Sequence, residues 1–212
     1  MISFIKYILA TPLRIYYKMN PDAWRIKDWE DNGRQGPAPH ALKFKAIKEN
    51  AQKFKPVVFI ETGTYMGDMV EKVKALFPKV MSIELDKTLH ANAVQRFKPD
   101  SHITILQGDS GEVLGSLMQT VNETCLFWLD GHFSEGVTAK GELITPILKE
   151  LENIAANTAR TGKKHVMLID DARLFNGTDD YPKMEVMREV QERLFPGYGF
   201  EVKDDVIRIT PN

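Results

Sequence analysis

Residues 57–67 read VVFIETGTYMG. The run Val57–Glu61 is β-branched and aromatic, a turn flanked by Gly63 and Gly67 follows, and a helical pattern starts at Asp68. Short apolar runs of this kind suit strands buried on both faces of a sheet. Downstream the same unit recurs. Further strands are predicted at Val80–Glu84, Ile103–Gln107, Cys125–Asp130 and His165–Asp170. Helices are predicted between them at Asp68–Phe77, Lys87–Arg96, Gly111–Thr120 and Gly141–Asn157. Strand, helix, strand, repeated, gives a parallel sheet covered by helices on both faces. After a last helix near Lys183–Leu194, Phe200–Lys203 and Val206–Thr210 flank Asp204-Asp205, which reads as a β-hairpin closing one edge. The expected class is α/β: a doubly wound, mostly parallel seven-stranded sheet with an antiparallel C-terminal hairpin.

Upstream the pattern changes. Residues 41–54 carry apolar side chains at helical spacing, whereas 20–39 (NPDAW, then DNGRQGPAP) read as an irregular cap or lid. The division expected is an N-terminal helical or irregular extension over 1–40, acting as a lid or an oligomer contact, and one domain over 41–212. Met1–Ala10, MISFIKYILA, is the most apolar end, but Lys6 and Arg14 interrupt it before the roughly 18 uncharged residues of a spanning helix. It lacks the order of a signal peptide. The reading is a helix packed on the domain or on a twin subunit. Weak peripheral membrane contact through Phe4, Ile8, Trp24 and Trp29 is the lesser alternative.

The 212 residues include 28 basic and 29 acidic ones, for a net charge of −1. No global field draws the chain to nucleic acid, and no such partner is expected. A single cysteine, Cys125, rules out an internal disulfide and a thiolate zinc cluster and favours a reducing, cytoplasmic compartment.

Open parallel sheets bind ligands at the carboxyl ends of their strands. The first end offers Glu61, Gly63 and Gly67 in an E-x-G-x-x-x-G pattern, not the G-x-G-x-x-G of a pyrophosphate turn. An acid in the first position suits a cationic ligand. Glu84 closes the second strand about 20 residues after Gly63, the separation at which such folds place an acid on ribose hydroxyls. Asp109 and Ser110 close the third and suit an adenine edge, although either also makes a helix N-cap.

These ordered stretches, FIETGTYMGD, SIELD, LQGDS, FWLDGHFSEG and HVMLIDDARLF, resemble the class I S-adenosylmethionine (SAM)-dependent methyltransferases over about residues 57–175. The resemblance implies a Rossmann-like sheet with an antiparallel seventh strand. It implies that Glu61, Gly63 and the neighbouring backbone of Thr64, Tyr65 and Gly67 hold the methionine part of the cofactor. Glu84 would grip the ribose, Asp109 with Ser110 the adenine, and Asp130 would border the same pocket.

The fourth and fifth strands end in Asp130 and in Asp170-Asp171. Three carboxylates together repel unless they share protons or a cation. Oxygen ligands of this kind suit Mg²⁺, with Ca²⁺ or Mn²⁺ as substitutes. The arrangement is similar to the divalent-metal-dependent O-methyltransferases, which makes Asp130, Asp170 and Asp171 the expected metal ligands. One departure is visible: where the catechol enzymes carry a lysine base, this chain has Phe133. His132, two residues past Asp130, is the expected base, with Asp130 beside it in catalysis, because an unperturbed imidazole titrates near neutral pH. His132 reads equally as a loop anchor. Arg173 and Lys140 suit an anionic substrate or simple solvation.

The function expected is methyl transfer from SAM to the hydroxyl of a small molecule or sugar, assisted by a divalent metal. The alternatives are a nicotinamide-dependent oxidoreductase, and a non-catalytic binding protein or subunit of the same fold.

Overall fold

A computed structural model describes residues 16–131 and 145–212. Seven strands form one sheet: β1 (Val58–Thr62), β2 (Lys79–Glu84), β3 (Ile103–Gln107), β4 (Cys125–Leu129), β5 (Val166–Ile169), β6 (Tyr198–Lys203) and β7 (Val206–Pro211). Their order across the sheet is β3-β2-β1-β4-β5-β7-β6. β1 pairs in parallel with both β2 and β4, so the winding reverses between β1 and β4. β7 runs antiparallel to β5 and to β6. The expected doubly wound sheet with its antiparallel hairpin is therefore the observed fold. Asp204 (φ 52°) and Asp205 (φ 62°) form the link, and positive φ at both central residues is what a two-residue hairpin requires.

Every residue of β1 and β4 is buried, as a central strand covered on both faces must be. The two edge strands, β3 and β6, are less buried. Helices α1 (Pro21–Asp31), α2 (His40–Phe54), α3 (Asp68–Val73), α4 (Lys87–Phe97), α5 (Ser110–Leu117), α6 (Ile147–Thr161) and α7 (Met184–Leu194) surround the sheet. One face packs Ile47 of α2, Val70 of α3 and Ala93 of α4 against Phe59, Leu126, Trp128 and Leu168. The other packs Leu114, Leu151, Ile154 and Met187 against Ile60, Phe127 and Ile207. Burying each such large side chain contributes roughly 1.5–3 kcal/mol. Asp86 caps α4 by accepting from the backbone N–H groups of Thr88 and Leu89.

Two expectations need correction. Residues 20–39 are not irregular throughout, because α1 fills 21–31. Pro21 stands at its first turn, where its missing N–H costs nothing, and Lys27 bridges to Asp31 one turn on. Trp29 is buried against Ala38 and Leu42, which removes it from any lipid contact. The other correction is at α6, which starts at Ile147, behind Pro146, and runs past the expected Asn157 to Thr161 before Gly162 turns left-handed (φ 68°); positions 141–144 of the expected helix lie outside the described residues. Residues 1–15, which carry the subunit reading and Phe4 and Ile8 of the membrane reading, lie outside the described residues, and Trp24 is exposed. No helix among the described residues is long and apolar enough to cross a membrane.

Candidate active site

The turn after β1 is held by backbone. The Gly63 N–H donates to the Ile83 carbonyl at 2.9 Å and the Gly67 N–H to the Thr64 carbonyl at 2.8 Å. Gly63 (φ 87°), Tyr65 (φ 48°) and Gly67 (φ 80°) all lie in the left-handed region. At Gly63 a side chain is excluded twice over, because a Cβ there would stand 2.5 Å from the carbonyl oxygen of Asp130. The tips of β1 and β4 thus meet backbone to backbone where the winding reverses, the place at which open α/β sheets seat ligands. Tyr65 and Met66 stand exposed beside the turn.

Acidic groups line this opening. Glu61 is 2% exposed; the Ser82 hydroxyl donates to it at 2.5 Å, and Thr64 is hydrogen-bonded to Ser82 in turn. Burial pushes the Glu61 carboxyl well up, with Asp130 and Glu84 adding to the effect against the Ser82 hydrogen bond. No cationic side chain among the described residues pairs with it. Glu84, at the tip of β2, accepts from the backbone N–H of Tyr65 at 2.7 Å and of Asp86 at 2.9 Å, so both carboxylate oxygens are oriented by backbone. Asp109 takes the N-cap position of α5 with no side-chain cap bond.

Ser110 is turned elsewhere. Its hydroxyl donates to Glu150 of α6 at 2.5 Å, so its donor is not presented to an adenine. Glu150 is 1% exposed. Burial raises its carboxyl to about 7, opposed by hydrogen bonds from Ser110 and Thr62. Thr62 in turn accepts the Asp130 backbone N–H at 3.2 Å. One buried acid therefore ties together the chain segments leaving β1, β3 and β4. Gly131 closes over this knot, and a Cβ there would lie 3.0–3.2 Å from the side-chain oxygens of Ser110, Thr62 and Glu150.

The tips of β4 and β5 are adjacent, and the Asp170 N–H donates to the Leu129 carbonyl at 3.0 Å. Asp130, Asp170 and Asp171 come to this lip as expected, but a lysine stands among them. Lys43, reaching from α2, donates to Asp170 Oδ2 and lies 3.6 Å from Asp171 Oδ1. The other Asp170 oxygen accepts the Asp171 N–H at 2.8 Å. Arg173 donates to Asp171 Oδ1 at 2.7 Å and pairs with Asp205. Burial pushes the Asp170 carboxyl well up, as do Asp130 and Asp171, and Lys43 is what opposes that rise. Burial lowers the Lys43 ammonium, but Asp170, Asp130 and Asp171 outweigh it and hold the group charged. The metal assignment of these three aspartates does not fit this arrangement. Nitrogen donors take both oxygens of Asp170 and one of Asp171, and no group of three or more metal-ligating side chains among the described residues could hold an ion.

Solved structures share this architecture. The SAH-bound methyltransferase PaMTH1 of Podospora anserina is 16% identical, with 96% of this chain and 95% of that one covered at a TM-score of 0.54. The O-methyltransferase TomG of Streptomyces achromogenes, in complex with SAM, is 12% identical over 95% and 96% at 0.54. An O-methyltransferase of Bacillus cereus, in complex with SAH, is 10% identical over 89% of each chain at 0.56. The chain has the class I methyltransferase fold. No protein-family model matches the sequence, and no curated protein does.

Within this methyltransferase fold, Gly63, Glu84 and Asp109 stand at or just beyond the ends of β1, β2 and β3, where the sequence resemblance expects the cofactor. His132, Phe133 and Lys140 lie outside the described residues. His165 is fully buried, its Nδ1 accepting the Cys125 N–H at 3.1 Å and its Nε2 facing Asn157 Oδ1 at 2.9 Å. Burial lowers it to about 4, so it stays neutral and structural. Arg173, suggested as an anion site, is engaged with Asp171 and Asp205.

Lys43 and Glu150 were not among the expected site residues. Both carried a signal. Lys43 shares a helical stripe with the buried Ala46, Ile47 and Asn50, and Glu150 shares one with Ile147, Leu151 and Ile154. A charged residue inside the apolar stripe of a helix is buried by its own periodicity and needs a partner.

Proposed function

We propose that the chain is a SAM-dependent methyltransferase that acts on an oxygen of a small molecule or sugar. The observation that carries the reading is Glu61, a buried carboxyl with no cationic partner among the described residues, beside a backbone cradle that a Cβ at Gly63 would fill. A sulfonium or ammonium group seated on that cradle supplies the missing positive charge. Glu84, fixed by the Tyr65 and Asp86 N–H groups, keeps lone pairs for ribose hydroxyls. Asp109 at the next strand end accepts from an adenine amine.

Bound SAM supplies a methyl group that leaves on attack at carbon, its sulfonium becoming a neutral thioether. The chain's own part is to align the acceptor oxygen and take up its proton. Geometry of this kind contributes several orders of magnitude in rate. His132, two residues past Asp130 in the sequence, receives the proton as general base. That TomG and the Bacillus cereus protein are O-methyltransferases favours oxygen as the acceptor atom. No step here runs through a metal, because Lys43 holds the carboxylates a metal would need.

Calorimetry with SAH tests the reading. Wild type binds SAH and not NADH, and Glu84→Ala weakens SAH by roughly tenfold or more, the equivalent of about 1.5–3 kcal/mol of charge-assisted hydrogen bonding. NADH binding in preference to SAH would replace the reading with a nicotinamide enzyme. SAH binding without transfer to any of a hydroxyl-compound panel would leave a binding protein.

A further inference from the structure

We propose that Lys43 is the resident cation of the aspartate cluster, standing in the place a divalent ion would take and keeping such ions out. The cluster is unusual in where its charge compensation comes from. Asp130, Asp170 and Asp171 arrive from β4 and β5, at the heart of the sheet, while the lysine arrives from α2, before the first strand. Its side chain is 14% exposed, against 0% for Asp170 and 8% for Asp171, so water screens the contact little.

Occupied lone pairs and like charges keep the ion out. A divalent ion binds hard oxygens at about 2.0–2.6 Å and needs several of them free. Asp170 gives one oxygen to the Asp171 N–H and the other to Lys43. Asp171 meets Arg173 at 2.7 Å and Lys43 at 3.6 Å through the same oxygen. Its left-handed backbone (φ 55°) holds it in that fork. An ion reaching the Asp170 carboxylate would sit against an ammonium and close to a guanidinium in a mostly buried space, where repulsion is poorly screened. A charge on a side chain also differs from an ion in permanence: it cannot be chelated away. Arg173 does not replace it, since its guanidinium is shared with Asp205 on the hairpin.

The inference concerns the proposed site but does not depend on methyl transfer, and its test reads metal rather than turnover. Full-length protein is titrated with Mn²⁺, with free ion followed by electron paramagnetic resonance. Wild type and Lys43→Arg are expected to show no saturable site below about millimolar ion, the weak end of oxygen-ligand sites. Lys43→Gln keeps much of the stem but removes the charge, and is expected to gain one site at least tenfold tighter. Adding Asp170→Asn to it should abolish that site. Stoichiometric Mn²⁺ binding by wild type, lost in Asp170→Asn alone, would overturn the proposal. So would a folded Lys43→Gln that binds no better than wild type, since the lysine would then not be what excludes the ion. If Lys43→Gln fails to fold, the wild-type titration decides alone: a site refutes, no site supports. Failure of SAH to bind would remove the methyltransferase reading and leave this one standing.

Discussion

Replacing Glu150 by Gln should change not the stability at one pH but its slope with pH. The carboxyl titrates near 7 in the folded protein, against 4.5 when exposed, chiefly because it is buried. A raised acid of this kind stabilises the fold fully below pH 4.5, and that contribution is lost as the pH rises through 7. Titration near 7 instead of 4.5 corresponds to about 3 kcal/mol, on the order of a hundredfold in the unfolding equilibrium. Gln cannot ionise, and its amide oxygen can still accept from Ser110. The two proteins should therefore differ by a constant at acid pH. Above pH 4.5 the difference moves in favour of Gln and levels off past 7. Urea unfolding in steps from pH 4 to 8.5 measures this directly. Parallel profiles for the two proteins would show that Glu150 ionises in the fold as readily as in the unfolded chain, and that the knot around Thr62, Ser110 and Asp130 is held in some other way.

Other positions give sharper yes-or-no outcomes. Gly63→Ala forces a Cβ to within 2.5 Å of the Asp130 carbonyl and should cost roughly 1–3 kcal/mol and SAH binding. Gly33→Ala, at similar φ but with nothing within 4 Å, should cost about 1 kcal/mol and leave SAH binding intact; equal effects would refute the close-contact argument. His165, lowered to about 4, stabilises the neutral-pH fold, and that contribution is lost as pH falls from 6.5 through 4. His165→Gln should therefore lose less stability on acidification than wild type, by about 3 kcal/mol over the window, and an identical slope would contradict the neutral assignment.

The sheet was legible because its strands state their own environment. VVFIE and CLFWLD are apolar without alternation, which only a strand covered on both faces can use, and the Asp204-Asp205 link fits only a tight hairpin. The strand-end acids were legible because the fold puts ligands at those ends. What escaped reading is what tertiary contact decides. Ser110 read as an adenine contact, but its hydroxyl meets a glutamate 40 residues away in sequence. The three aspartates read as a metal site because their shared lip follows from strand order, while the lysine that joins them comes from a helix with no sequential relation to it. Residues 20–39 read as an irregular cap because they are polar and turn-rich, although Pro21 stands at the first turn of a helix, where a proline is tolerated.

The Lys43–Asp170 contact spans 127 residues of chain. A link of that separation cannot form while the sheet is still assembling, because loop closure over such a distance is favourable only once β1, β4 and β5 have already fixed its ends. The buried charge pair thus belongs to the last stage of folding rather than to its nucleus. Loosening it should hasten the opening of the molecule while hardly slowing its formation. Helix α2 then acts as a latch in time as well as in space. Asp170 gains its lysine only when this helix, which precedes β1 in the chain, closes on the finished sheet.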